Sequence, residues 1–225
     1  MKSFDIAIYG HLSYDNIYEG FNYKTSVGCM GNVWNQLKII NSNLKVKLEP
    51  TDIGESLIIA DREQCKRTSI SRLSLKTRIP HIHDSKISHI MYLNELSDTA
   101  FIKSLKGCVV ADVCNGKPLV VDKDVLGSID LLVISDEDLN VDVMELLNMV
   151  RGCVFIHYPT GSTLYAKPGY MQFSAETVDK VNVVGAGDKL VSYILSGLLD
   201  SLYDLPKVIQ DAHTALTEYY KNEKV

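Results

Sequence analysis

Gly185, Ala186, Gly187 and Asp188 bring three small residues and an acid together where an apolar run, residues 181–184, gives way to helical spacing. Leu190, Val191, Ile194, Leu195 and Leu198 then recur at three- and four-residue intervals, so the spacing predicts a helix that begins at the small residues. The first turn of a helix has N–H groups without intrahelical partners and carries the positive end of the dipole. Uncovered by side chains, that turn suits an anion such as phosphate. Asp188, a carboxylate beside such a site, suggests chemistry. The plainer alternative is a tight turn where a helix packs closely on a sheet.

Two upstream segments carry further candidates. An opening run, Phe4 to Tyr9, ends at Gly10 and leads into a stretch rich in Tyr, Asn and Gly that contains Asp15. After it, Gly28 and Gly31 mark a close-approach turn, Asn32 stands in the first turn of the next helix, and Val33, Leu37 and Ile40 follow at helical spacing. Asp15 and Asn32 suit a polar site, since a carboxylate accepts and an amide both donates and accepts. Their alternative role is to satisfy turn backbone.

The elements that must position these residues are read from the remaining pattern. Residues 44–50 alternate as a half-buried strand, 51–56 read as a turn, and 57–61 and 67–77 read as pairing strands. From residue 88, short apolar runs alternate with polar or helical stretches: residues 88–93, a helix near 97–105, residues 108–113, residues 129–135, a helix from about 136 to 150, and residues 153–158. That alternation predicts βαβ units on a parallel sheet. The unbroken apolar runs predict strands covered on both faces. Ser135 reads as a helix N-cap followed by Asp138, and His157 ends a buried strand at the edge where open α/β sheets bind ligands. A hairpin is expected around Pro168 and Gly169, and an amphipathic helix from residue 205 with Val208, Ala212, Ala215, Leu216 and Tyr219 inward.

Composition narrows the function classes. The 225 residues are 46% hydrophobic and 23% charged, enough to bury a core in a single domain spanning residues 1–225. A net charge of -5 argues against a nucleic-acid surface, and the basic run from Lys66 to Arg78 reads as a solvated strand face. The five cysteines, Cys29, Cys65, Cys108, Cys114 and Cys153, contain no CxxC pair and are expected as reduced thiols. His81 and His83 have no third ligand nearby and read as surface histidines. No apolar segment approaches bilayer length, so no membrane partner and a cytoplasmic address are expected.

The residues GAGD at 185–188, with an apolar helix behind them, resemble the signature of the ribokinase-like, or PfkB-type, carbohydrate kinases. Asp15, Gly28, Gly31 and Asn32 follow in the order of that family's N-terminal sugar-binding pattern, and Ser135 with Asp138 stands where the family has Asn-x-x-Glu. The resemblance implies a ribokinase-like three-layer α/β sandwich, with a mostly parallel sheet and a small β-rich lid within about residues 12–27. It implies transfer of the γ-phosphoryl group of ATP, with Mg²⁺, to a hydroxyl of a sugar, nucleoside or related small molecule. In that reading Asp188 is the base and Gly185, Ala186 and Gly187 line the anion hole. Asp15, Gly28 and Asn32 bind substrate, Ser135, His157, Gly161 and Ser162 contact nucleotide, and Asp138 orders Mg²⁺ through water. Pairing of two chains through the lid is a further expectation.

The chain departs from the family at particular residues. Asn182 and Val183 replace the usual Asp-Thr before the signature, and residues 157–162 keep only Gly161 and Ser162 of the phosphate-holding Thr-x-Gly-x-x-Gly. The chain is also shorter than most members, with the missing length expected between residues 50 and 90. These departures keep two alternatives open: a non-catalytic sugar- or nucleoside-binding regulatory protein on the kinase fold, and a nucleotide-binding protein of another α/β family.

Overall fold

The computed structural model describes residues 3–74, 78–113, 119–179, 181–201 and 204–223. Among the described residues, ten strands form one sheet: β1 (Phe4–Glu19), β2 (Asn22–Val27), β3 (Val46–Asp61), β4 (Lys66–Ser74), β5 (Ser85–Met91), β6 (Cys108–Asp112), β7 (Leu131–Ser135), β8 (Cys153–Tyr158), β9 (Gly161–Ala166) and β10 (Gly169–Ser174). Five α-helices accompany them: α1 (Cys29–Ile40), α2 (Lys123–Leu126), α3 (Val143–Met149), α4 (Ala186–Asp200) and α5 (Leu205–Glu223). The strand order is β10-β9-β8-β7-β6-β5-β1-β3-β4, with β2 on the other side of β1. From β3 through β1, β5, β6 and β7 to β8 every neighbour is parallel. Hairpins add the antiparallel pairs β1–β2, β3–β4, β8–β9 and β9–β10.

Alternate residues of each central strand face opposite helical layers, as a period of two requires. Ile6, Ile8, Val110, Val133 and Phe155 pack with Val33 and Leu37 of α1, Leu190 and Ile194 of α4, and Val208 of α5. Ala7, Tyr9, Ala111, Leu132 and Ile156 pack on the opposite face with Leu126 of α2, Leu146 of α3, and Phe101 and Ile102 of a 3₁₀ turn. The result is a mixed α/β fold of three layers, as the apolar runs predict. The expected helix near 97–105 is the 3₁₀ turn Ala100–Ser104, and the expected helix from 136 splits into a 3₁₀ turn, Asp136–Asp138, and α3. Ser135 makes no side-chain cap; Asp142 caps α3 instead, accepting from the Met144 N–H at 2.7 Å.

The β-rich extension expected to form the lid takes in strands beyond residues 12–27. Beyond a register shift at Gly10 and His11, β1 and β3 run on together out of the core, carrying β2 and β4 on their flanks. The segment 51–56 that reads as a turn lies inside β3. Its Asp52 is 3% exposed and accepts from Thr51 Oγ1 at 2.8 Å and Ser97 Oγ at 3.0 Å, so the side chain is satisfied across the fold without turning its own backbone. Residues 50–74 supply most of β3 and all of β4. One lid face buries Ser13, Asp15, Ile17, Ser56, Ile58 and Ala60, while the other exposes Tyr14, Tyr18, Tyr23, Ile53, Ile59 and Ile70.

In α5 the buried residues are Val208, Ile209, Ala212, His213 and Tyr220, so the helix is turned slightly from its expected apolar stripe, with Ala215, Leu216 and Tyr219 at its border. Cys29, Cys65, Cys108 and Cys153 are free thiols. Cys114 and residues 75–77, the end of the expected second lid strand, lie outside the described residues.

Candidate active site

The anion turn forms as its residue types dictate. Gly185 adopts φ 75°, a left-handed conformation costly for any side chain with a Cβ, and is the N-cap of α4. The Asn182 side chain braces the approach, its Oδ1 accepting the Val184 N–H at 2.9 Å. The Ala186 N–H donates to the Val183 carbonyl at 3.1 Å, so this expected anion donor is engaged within the turn. Gly187 and Asp188 stand at the second and third positions of the helix, where N–H groups lack intrahelical acceptors. A Cβ on Gly187 would stand in ordinary contact, 3.4 Å, with the His157 ring, which puts the end of β8 beside the turn.

Asp188 is 6% exposed, and its Oδ2 accepts from Asn32 Nδ2 at 2.8 Å. Asn32 is in turn oriented by Ser26 of β2, whose hydroxyl donates to its Oδ1 at 3.3 Å. The Asn32 amide therefore aims the Asp188 carboxylate and ties it to the lid. Asp15, on the inner face of β1, is 5% exposed and accepts from Ser13 and Ser56 hydroxyls. Gly28 reaches this carboxylate because it has no Cβ, and its N–H donates to the Ser13 carbonyl at 2.7 Å.

Two cavities meet at this point. One, of about 90 Å³, is lined by Asp15, Asn32, Ser56, Glu95, Gly185 and Asp188 among others. The second, of about 270 Å³, is lined by Asp112, Ser135, Glu137, Asp138, His157 and the turn Gly185–Asp188. Asp188, Cys29, Tyr92, Arg67 and Ser69 border both. Tyr92 holds a left-handed backbone, φ 58°, unusual for an aromatic residue and of the kind that clusters at functional sites.

Electrostatics divide the second cavity. Burial lowers His157 to about 4, so the imidazole is neutral at pH 7. Burial, followed by repulsion from Glu137, raises the Asp138 carboxyl, while the Arg67 charge opposes that rise. Lys189 is lowered chiefly by burial, with the Asp188 charge opposing, and its Nζ lies 5.1 Å from the centre of the Tyr219 ring. Among the described residues, no three His, Cys, Asp or Glu side chains are grouped to grip a metal ion directly. Asp112, Glu137 and Asp138 nonetheless offer the oxygen chemistry that a hydrated Mg²⁺ prefers, which fits an ion held through its own water.

The structure thus gathers Asp15, Asn32, Ser135, Asp138, His157 and Gly185–Asp188 around one junction, with Gly28 packed behind Asp15. Gly161 and Ser162 are placed elsewhere. A Cβ on Gly161 would collide with the Phe173 carbonyl, so that glycine serves the approach of β9 to β10. Ser162 is wholly buried, with its hydroxyl 2.7 Å from His213 Nε2 of α5, and borders neither cavity. Sequence reasoning misses Asp112, Glu95, Ser56, Arg67 and Ser69. Asp112 had a signal, an acid ending a buried strand at the ligand-binding edge. Arg67 and Ser69 had one in their spacing of two within the basic run.

No protein-family model and no curated protein matches the chain. Solved structures do match. Ribokinase of Thermotoga maritima aligns at TM-score 0.73 and 14% identity over 95% of this chain and 92% of that one. The chain has the ribokinase-like fold. A nucleoside kinase of Burkholderia thailandensis in complex with inosine aligns on this fold at TM-score 0.72 and 15% identity, covering 94% of this chain and 90% of that one. Arabidopsis thaliana ribokinase complexed with ribose and ATP aligns at TM-score 0.69 and 15% identity, covering 96% and 92%. At these identities the likeness is one of fold, and the chemistry of this ribokinase-like chain rests on its own side chains.

Proposed function

We propose that the chain is an ATP-dependent kinase that phosphorylates a hydroxyl of a sugar, nucleoside or related small molecule. The observation that carries the reading is Asp188 at the junction of two cavities, buried, aimed by Asn32 and set in the first turn of α4. The smaller cavity receives the acceptor. Ser13 and Ser56 occupy part of the Asp15 carboxylate, and its remaining lone pairs take acceptor hydroxyls. The larger cavity receives the phosphates.

Asp188 accepts the proton as the acceptor oxygen forms its bond to the γ-phosphorus. The bond to the β,γ-bridging oxygen breaks and its electron pair leaves with ADP. The Gly187 and Asp188 N–H groups and the positive end of α4 face the charge on the transferring group. Asp138, with Asp112 and Glu137, would hold Mg²⁺ through water, and the ion supplies charge neutralisation to the phosphates. Ser135 and His157 border the phosphate cavity and are proposed donor contacts. Gly161 and Ser162 are left out of the site by their positions. Residues 1–225 act as one unit whose lid closes on the acceptor, and the lid's exposed apolar face supports pairing of two chains there.

An ADP-release screen across sugars, sugar phosphates and nucleosides tests the reading, with Asp188→Asn as control. The amide keeps the volume and can still accept from Asn32, so the fold persists while turnover falls by about 10²-fold or more. Near-full activity in Asp188→Asn would remove the assigned base. Calorimetric binding of a sugar or nucleoside without binding of Mg-ATP would favour a non-catalytic binding protein instead.

A further inference from the structure

We propose that Arg67 of the lid delivers a positive charge to the transferring phosphoryl group, so that lid closure completes the catalytic site; the inference rests on the kinase reading above. Arg67 borders both cavities and, among the described residues lining them, is the one Lys or Arg. The phosphate cavity has carboxylates at Asp112, Glu137, Asp138 and Asp188. Polyphosphate entering such a wall meets repulsion unless cations accompany it, and a hydrated metal held by Asp112, Glu137 and Asp138 would leave the Asp188 charge unanswered. His157 adds no charge, being neutral at pH 7. The second cation must therefore come from the lid.

The register of β4 aims it. Arg67 pairs with Ala60 and Ser69 with Ile58, both partners on the buried lid face, whereas Thr68 pairs with exposed Ile59. The Arg67 charge reaches across the cavity, acting on Asp138 and on His157. It lines the same cavity as Gly187 and Asp188, so a phosphoryl group bound there meets both the guanidinium and the anion turn. The lid end bearing Arg67 is fastened where this needs it: Arg62 Nε donates to Glu19 at 2.6 Å, and Asn182 donates to the same carboxylate at 3.3 Å. Asn182 lies three residues before Gly185, so the lid end and the anion turn share one clasp. A guanidinium suits the task, since its planar fork matches phosphate oxygens and stays charged.

The test compares wild type, Arg67→Ala, Arg67→Gln and Arg67→Lys, using the best acceptor from the ADP-release screen. It also compares calorimetric binding of Mg-ADP with and without fluoroaluminate, a mimic of the phosphoryl group in transit. Loss of a transition-state arginine costs about 10³-fold in turnover at the low end of its range. Arg67→Ala and Arg67→Gln are expected to show that loss, with acceptor KM within about threefold and unfolding temperature unchanged, since the side chain is exposed. Fluoroaluminate binding should weaken about a hundredfold and Mg-ADP alone by less than about fivefold. Lysine restores part of the turnover, and added guanidinium rescues the alanine variant. A rise in acceptor KM at unchanged kcat would overturn the proposal and make Arg67 an acceptor contact, as would equal weakening of both nucleotide complexes. Failure of the wild-type chain to bind Mg-ADP or turn over any acceptor would instead overturn the kinase reading, which separates the two failures.

Discussion

Replacing Gly28 with alanine probes the acceptor side without touching the base. The backbone there, φ −62° and ψ −161°, suits any residue, so the change acts through space alone. A Cβ on Gly28 would collide with Ser13 Oγ and stand 2.9 and 3.0 Å from the two Asp15 carboxylate oxygens. Relieving both requires Asp15 to retreat by roughly 0.5 Å toward ordinary contact distance and the Ser13 hydroxyl to rotate away from it. A hydrogen bond to a carboxylate is worth about 1.5–3 kcal/mol and overpacking costs about 1–3 kcal/mol, so a net destabilisation of about 2 kcal/mol is expected. Urea unfolding followed through Trp34, the single tryptophan, reads that value. Misplacement by about 1 Å can cost 10²-fold in rate, so half that shift should lower kcat/KM for the acceptor by about tenfold. KM for ATP should stay within about twofold, because Gly28 borders neither cavity and the anion turn is untouched. Lost stability with unchanged acceptor kinetics would refute the role of Asp15, and unchanged stability would refute the close approach itself.

Asn182→Asp restores the acid usual in the resembling family, yet here it sets a carboxylate against Glu19, whose Oε2 lies 3.3 Å from the present amide nitrogen. Lost donation and like-charge repulsion should destabilise by about 1–2 kcal/mol and raise acceptor KM; adding Glu19→Gln should return most of both, and a double variant no better than the single would sink the clasp. For lid pairing, Ile59→Asp, on the exposed face, should halve the mass seen by sedimentation while leaving unfolding within about 0.5 kcal/mol; equal masses for variant and wild type would remove the lid as the interface.

The core was legible because its physics is local. Strands covered on both faces are written as unbroken apolar runs, so β7 and β8 stand out, and a helix start is written in small residues ahead of a periodic stripe, as at Gly185. The lid was less legible. Asp52 sits in a segment with turn composition, but the groups that satisfy it include Ser97, distant in sequence, so nothing nearby marks the strand as continuing. Alternation also reveals two faces without saying which meets the ligand. Ser162 illustrates this: the motif points to phosphate, whereas its hydroxyl meets His213 in the helical layer. Arg67 was hidden in the opposite sense, since a basic run on a half-exposed strand has the composition of a solvated face.

The path of β1 and β3 explains why lid and acceptor belong together. Both strands start in the core and pass the shift at Gly10 and His11 without ending, so the lid continues the same hydrogen-bonded ladder rather than hanging from a flexible linker. Asp15 lies four residues beyond His11 and directly opposite Ser56, one of the groups that hold it. On the proposed reading, an acceptor that takes the lone pairs of Asp15 left by Ser13 and Ser56 therefore binds beside contacts within the lid itself. Asn32 repeats the arrangement, joining Ser26 of the lid to Asp188 of the core. On the proposed reading, the β1–β2 pairing of Asp15 with Ser26 links the acceptor contact to the hydrogen bonds that aim Asp188, so an occupied acceptor cavity favours the closed lid.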